Sequence, residues 1–171
     1  MNNTQKALKF GLKYGTVAGL LMVLNVYILT AFGLGLSYWV FIINIIILLI
    51  VVYKAHQNFK QKNDGILNVK TALVINLIIA LLSMFIQQLN MVIYIAIDPS
   101  WIDMVEDIRR KSMIENGLSE VEIKQKLRQF KKLFTPLRML TRGVLVPGTY
   151  FFFFSSIIIF FTKSKSSKIS K

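Results

Sequence analysis

The chain has 171 residues, of which 54% are hydrophobic, and its mean hydropathy of +0.56 is too high for a water-soluble domain of this size. Its net charge of +13 excludes an acidic protein, but the bases cluster beside apolar segments, a pattern of membrane topology rather than nucleic-acid binding. With no cysteine and one histidine, disulfides, thiolate metal sites and cysteine nucleophiles are excluded. We expect the lipid bilayer as partner, and no nucleic acid, cofactor or metal.

The first apolar block, from Tyr14 to Tyr53, contains no Asp, Glu, Lys, Arg or His over forty residues. One helix needs only ~20 residues to cross the hydrocarbon core, so the block must fold back on itself. Gly33-Leu34-Gly35 is the natural break, because glycine interrupts helices. We predict membrane spans over residues 13–32 and 37–53. The apolar run is too long for a signal peptide, so we expect the first span to be retained.

Span one carries three glycines at intervals of four residues, namely Gly11, Gly15 and Gly19. Such a face lets another helix approach the backbone closely. We expect it to pack within the chain, against span two or span four. Dimerisation through the same face is the alternative.

A third span is predicted over residues 71–97. Its polar side chains lie along one line of the helix: Asn76, Ser83, Gln87 and Asn90. A polar stripe on a membrane helix must face protein or water, because unsatisfied amides in hydrocarbon are costly. Hydrogen bonding to Asn25 and Asn44 of the first two spans is the first interpretation. The alternative is the lining of a small polar path or headgroup pocket.

The segment over residues 98–141 is predicted to be an extramembrane helical hairpin. Gly117 is a candidate C-cap for its first helix, and Ser119 with Glu122 forms a capping box for its second. Each helix carries an apolar stripe: Trp101, Val105 and Ile108 in the first, and Ile123, Leu127, Phe130 and Phe134 in the second. We expect the stripes to pack on each other; docking of one stripe on the membrane surface or on a partner protein is the alternative.

The fourth span is predicted over residues 142–162, followed by a disordered Lys/Ser tail over 163–171. Pro147-Gly148 lies inside this span and predicts a kink or loosened turn, because proline removes one backbone hydrogen bond. We count this pair with the three glycines of span one as helix-packing candidates.

Orientation follows from the first two spans. Three lysines precede span one and four follow span two, whereas the turn between them has none. By the positive-inside rule the N-terminus is cytoplasmic, and four spans return the C-terminus to the same side. The segment after span three is then exterior, although bases are frequent there too.

The sequence contains no group of residues that is typical of catalysis or of ion-coupled transport. The spans lack buried ionisable residues, so the usual mark of ion-coupled transport is missing. His56 lies just past span two, where it reads as an interfacial residue. No nucleophile stands with a base or a paired acid on one face. We therefore predict no catalytic, cofactor-binding or metal-binding residues, and no enzymatic activity.

The run Tyr14-Gly15-Thr16-Val17-Ala18-Gly19, with Gly117 to Ile123 and Pro147-Gly148, resembles the bacterial membrane protein family labelled domain of unknown function 4199. The resemblance covers nearly the whole chain in order and spacing. It departs at Asp64-Gly65-Ile66-Leu67, where the family more often has a Gly-rich tract. It implies an inner-membrane protein with four helices, and it implies no activity or functional residues.

The sequence thus predicts an all-α integral membrane protein with four helices in two hairpins, and an extramembrane helical hairpin between spans three and four. We expect it in the bacterial inner membrane, as a non-enzymatic accessory or scaffold subunit. It would act through helix packing and its exterior hairpin, in a homo-oligomer or larger membrane complex. A small facilitator or lipid-handling protein that uses the polar stripe of span three is the alternative.

Overall fold

The computed structural model describes residues 3–164, and nearly all of them are helical. The elements are α1 (Asn3–Ala31), α2 (Tyr38–Gln61), α3 (Val69–Ile97), α4 (Ser100–Glu115), α5 (Glu120–Lys131), a short 3₁₀ helix (Lys132–Phe134) and α6 (Pro136–Thr162). No strand occurs among the described residues, and the predicted all-α class is confirmed. Residues 165–171, most of the predicted tail, lie outside the described part of the chain.

Four helices, α1, α2, α3 and α6, are long and apolar enough to cross a membrane. They contain the four predicted spans almost completely but extend beyond them, most of all at the start of α1 and the end of α2. The prediction placed the ends of spans near charged residues. A helix continues past that point because its backbone hydrogen bonds are internal and do not require hydrocarbon around them.

The four long helices form a bundle in which each runs opposite to the one before it. α3 packs between α1 and α6, and α2 packs against α1 and α6 on the other side. One end of the bundle, here called the loop end, holds the N-terminus, the α2–α3 loop and the end of α6. The other end, here called the hairpin end, holds the α1–α2 turn and the α4–α5 hairpin.

The glycine face of α1 is buried against α3. A Cβ atom built on Gly11, Gly15 or Gly19 would lie 2.7, 3.0 or 2.8 Å from the nearest side-chain atom of α3. Those atoms belong to Ile78, Leu82 and Ile86, respectively. The glycines therefore pack within the chain, but the prediction that they meet span two or span four was wrong. Glycine spacing identifies a close-packing face and carries no information about which helix covers it.

Gly148 of α6 makes a similar contact from the opposite side of α3. Its Cβ position lies 3.1 Å from Leu81 Cδ2. Pro147 stands inside an otherwise continuous α6. Small residues on α1 and α6 thus let both helices approach α3, which is the most buried of the four.

The helical hairpin predicted between spans three and four is present as α4 and α5. Gly117 has a φ of +73° at the end of α4, and Ser119 and Glu122 form the capping box of α5. The two apolar stripes meet, with the rings of Trp101 and Phe134 5.8 Å apart. Ion pairs at the surface accompany this packing, from Lys131 to Glu106 and from Arg110 to Glu120.

Enlarging the glycine face should destabilise the bundle. We expect Gly15→Leu to cost about 1–3 kcal/mol or more, because the added side chain must displace α3. Val17→Leu adds a methylene on the exposed side of α1 (Val17 is 40% exposed) and serves as the control. Thermal unfolding in detergent should show a lower melting temperature for the glycine variant alone; equal melting temperatures would refute this contact.

The capping box should make the start of α5 acid-sensitive. Hydrogen bonds from the side chain and backbone N–H of Ser119 lower the pKa of the Glu122 carboxyl from its ordinary value. A lowered pKa stabilises the folded helix above the ordinary glutamate range, and this contribution is lost as the pH falls through the folded-state value. Hydrogen exchange of the first α5 amides, corrected for intrinsic rates, should accelerate at acid pH. Glu122→Gln, which does not titrate, should remove that pH dependence; an unchanged profile would count against the box.

Candidate functional site

The predicted polar stripe of α3 divides into a buried part and an accessible part. Asn76 and Ser83 are fully buried, whereas Gln87 and Asn90 are partly exposed. The two parts therefore lie in different surroundings.

Asn76 belongs to a buried hydrogen-bonded network that joins three helices. Its Oδ1 atom lies 2.8 Å from His56 Nε2, and its Nδ2 donates to the Ser155 carbonyl at 3.0 Å. His56 Nδ1 lies 2.6 Å from Thr162 Oγ1. A neutral imidazole with its proton on Nε2 fits this arrangement, since Nε2–H donates to Asn76 Oδ1 and Nδ1 faces the Thr162 hydroxyl, whose one proton is also within reach of the Ile158 carbonyl at 2.9 Å. The network ties α2 to both α3 and α6.

His56 is fully buried inside the bundle, three residues past the predicted end of span two and within α2, which is long and apolar enough to cross a membrane. An ionisable side chain is therefore buried next to the predicted span, outside its predicted bounds, and the interfacial depth of His56 stays a prediction. α2 continues past Tyr53, and its buried face extends through Ala55 and Phe59. That continuing periodicity of small and apolar residues was the signal in the sequence that could have placed His56 in the core.

The other polar residues find partners different from those predicted. Asn25 Nδ2 donates to Asn44 Oδ1 at 2.9 Å, so these two bond to each other and not to the α3 stripe. Asn90 Oδ1 accepts from the Tyr27 hydroxyl at 3.1 Å. The Ser83 hydroxyl donates to the Ala80 carbonyl of its own helix at 3.1 Å.

Gln87 and its neighbour Gln88 are different. Their side chains make no hydrogen bond to any described residue, although they stand on a helix of mean hydropathy 2.3 in its most apolar window. Both line an open cleft of about 370 Å³ between α2, α3 and α6 at the hairpin end. The sequence stripe included Gln87 but missed Gln88, which lies about 100° away around the helix.

The cleft combines polar and apolar walls. Its polar lining comes from Ser37, Asn44, Gln87 and Gln88, and its apolar lining includes Phe41, Met84, Pro147 and Phe151. Gly143 on α6 leaves space for Gln88, since a Cβ atom there would lie 2.5 Å from the Gln88 Oε1 atom. Pro147 also lacks the N–H that would bond the Gly143 carbonyl in a regular helix.

This lining is suited to binding. The amide side chains offer hydrogen-bond donors and acceptors without net charge, and the aromatic and aliphatic walls offer apolar contact. Within residues 3–164, no group of three His, Cys, Asp or Glu side chains is arranged to hold a metal ion. The cleft therefore presents a neutral, amphipathic surface.

Four long apolar helices indicate a multi-pass membrane protein. The family described as protein of unknown function (DUF4199) matches residues 13–164. The chain belongs to this family, which confirms the resemblance seen in the sequence. No curated protein and no solved structure matches the chain.

Removal of the Asn76 amide should destabilise the bundle. Asn76→Leu removes the Asn76 partner of the buried His56 Nε2 and leaves the Ser155 carbonyl with its helical hydrogen bond alone, at a cost of about 1–3 kcal/mol for the buried imidazole. Asn90→Leu is the matched control on the same helix, because its partner Tyr27 is 47% exposed and can be solvated. Melting temperatures in detergent should fall markedly for Asn76→Leu and little for Asn90→Leu; the reverse order would refute the network.

Proposed function

We propose that the protein binds the polar part of an amphiphilic molecule, such as a lipid headgroup, in the cleft between α2, α3 and α6. This corresponds to the lipid-handling alternative drawn from the sequence. The observation that carries the proposal is the pair of amides, Gln87 and Gln88, that face the cleft without a hydrogen-bond partner in the described chain.

An amide within the apolar part of a membrane protein requires a partner, because each unsatisfied group in hydrocarbon costs several kcal/mol. In this chain Asn25, Asn44, Asn76 and Asn90 all have protein partners. Gln87 and Gln88 thus differ from these four asparagines, because their amides have no hydrogen-bond partner in the described chain. A bound polar group, or water that such a group displaces, would complete their hydrogen bonding.

The size and shape of the cleft favour part of an amphiphile over a whole one. A volume of about 370 Å³ lies near the lower limit of small-molecule sites. The cleft is open at the hairpin end, so acyl chains of a ligand could remain outside, against the exposed apolar side chains of the bundle. Phe41 and Phe151, whose rings are 6.1 Å apart, supply an apolar wall next to the amides.

The accessory or scaffold role remains a prediction with less support. The two surfaces that suggested it are largely occupied within the chain: the α1 glycines contact α3, and Ile123, Leu127 and Phe130 of the hairpin are buried. A homo-oligomer or larger complex would have to use another face. No group suited to catalysis lines the cleft, and we propose a binding protein, not an enzyme.

We infer a location in the bacterial inner membrane with both termini in the cytoplasm. Lysines concentrate at the loop end, where Lys6 donates to Asn63 of the α2–α3 loop at 3.3 Å. The positive-inside rule associates this end with the cytoplasm. The cleft would then open toward the exterior side.

The chain lacks cysteine, so one introduced thiol can report occupancy of the cleft. Ser37→Cys places it in the lining while both glutamines remain, and Ser112→Cys on the exposed face of α4 is the control. In detergent micelles, phosphatidylethanolamine at increasing mole fraction should slow thiol labelling at position 37 and leave position 112 unchanged. Equal effects at both positions would overturn the proposal.

The role of the amides is tested in the same assay. In a Gln87→Leu/Gln88→Leu background, protection of the position-37 thiol should require roughly 30-fold more lipid, since two hydrogen bonds contribute about 2 kcal/mol. The melting temperature should not fall, because these amides have no protein partner to lose. Asn90→Leu should leave protection unchanged. Full protection in the double variant would show that the glutamines do not bind the lipid.

A further inference from the structure

A second cavity lies outside the bundle, where the α4–α5 hairpin meets the start of α6. This cavity, here called the basic groove, has a volume of about 470 Å³. Five basic side chains line it: Arg109, Lys126, Lys132, Arg138 and Arg142. Met113, Phe130 and Leu133 provide its apolar contacts.

The fold separates the charges of this region. The stretch over residues 98–142 carries ten bases and seven acids, a net charge of +3. None of the described acids lines the basic groove, so the groove holds +5 and the remainder of the stretch holds −2. The two ion pairs of the hairpin use Arg110 and Lys131, which lie outside the groove. Lys126 also interacts with the nearby Glu122 carboxylate.

Two guanidinium groups are held in place without neutralisation of their charge. Arg109 lies over the ring of the buried Phe130, 4.1 Å from its centroid. Arg138 Nη1 donates to the Lys132 carbonyl at 3.0 Å. Five like charges in one groove repel each other, so an anion that binds between them gains both attraction and relief of this repulsion.

The groove lies where α6 enters its apolar part. Arg138 and Arg142 occupy the first two turns of α6, and no charged residue follows until Lys163. Leu133 in the lining is 41% exposed and Leu137 beside Arg138 is 73% exposed. Bases next to exposed leucines at the start of a membrane span lie at the level of lipid phosphates.

We propose that the basic groove binds the phosphate of an anionic lipid headgroup. Arginine guanidinium groups recognise phosphate oxygens through paired, charge-assisted hydrogen bonds. The adjoining leucines favour a phosphate attached to acyl chains over a free one. This site is separate from the cleft with Gln87 and Gln88, and it accounts for an accumulation of bases in a segment that topology predicts to be exterior.

The test measures binding of fluorescent phosphatidylglycerol and phosphatidylcholine to the full chain in neutral detergent. Phosphatidylglycerol should bind more tightly than phosphatidylcholine. Lys132→Gln/Arg142→Gln should weaken phosphatidylglycerol binding roughly 30-fold, because each base contributes about 1 kcal/mol and a tenfold change in affinity corresponds to about 1.4 kcal/mol. Neither side chain makes a hydrogen bond or ion pair with another described residue, so the melting temperature of this variant should equal that of the unsubstituted protein.

The matched control is Lys111→Gln/Lys124→Gln, which removes the same number of charges from hairpin residues outside the groove. We expect less than a threefold effect on phosphatidylglycerol binding. An equal loss of phosphatidylglycerol binding in both double variants would mean that net charge alone determines binding, and it would overturn the proposal. Equal binding of phosphatidylglycerol and phosphatidylcholine would overturn it as well. Displacement of phosphatidylglycerol by inorganic phosphate at similar concentration would assign the groove to a free anion and overturn the lipid assignment. If Lys132→Gln/Arg142→Gln keeps full phosphatidylglycerol binding and Gln87→Leu/Gln88→Leu loses it, the lipid binds in the cleft and the proposal for the basic groove is overturned.

Discussion

The requirement that polar groups in an apolar environment find hydrogen-bond partners organises this bundle. Asn25 with Asn44 joins α1 to α2, and His56 joins α2 to α3 and α6 through Asn76 and Thr162. Within a bilayer the hydrophobic effect does not draw helices together, because lipid tails are as apolar as leucine. Pairs of this kind therefore determine which helices are neighbours and in which register.

Close packing supplies the second part of that specificity. The α1 glycines admit Ile78, Leu82 and Ile86 of α3, and Gly148 brings α6 onto the other side of the same helix. α3 thus becomes the centre of the bundle. The polar pairs select neighbours, and the small residues allow the short interaxial distances at which dispersion contacts are effective. A substitution in either set changes the contacts of α3. This helix is therefore sensitive both to the loss of a polar pair and to the enlargement of a small residue.

The class, the four apolar helices and the capped hairpin could be predicted because each depends on local pattern: charge-free length, a capping box at Ser119, and a glycine at position 117. The identity of helix partners could not. Glycine spacing and amide spacing define a face, but which helix covers that face depends on long-range geometry that one sequence does not contain. The burial of His56 could not be predicted from its neighbours Lys54 and Asn58, because that burial depends on the last turn of α6, more than a hundred residues later.

The two ends of the bundle differ in how completely their polar groups are paired. At the loop end Asn58 donates to the Tyr14 hydroxyl, and the Ser164 hydroxyl accepts from the Leu67 N–H and donates to the Gly65 carbonyl. The first contact joins α2 to α1, and the Ser164 contacts tie the α2–α3 loop to the last residue of the described chain. At the hairpin end the fold instead leaves two amides facing a cleft and gathers five bases without lining acids. Unpaired amides and concentrated like charge both reduce stability, and their presence together at one end is the physical ground on which we propose ligand binding there.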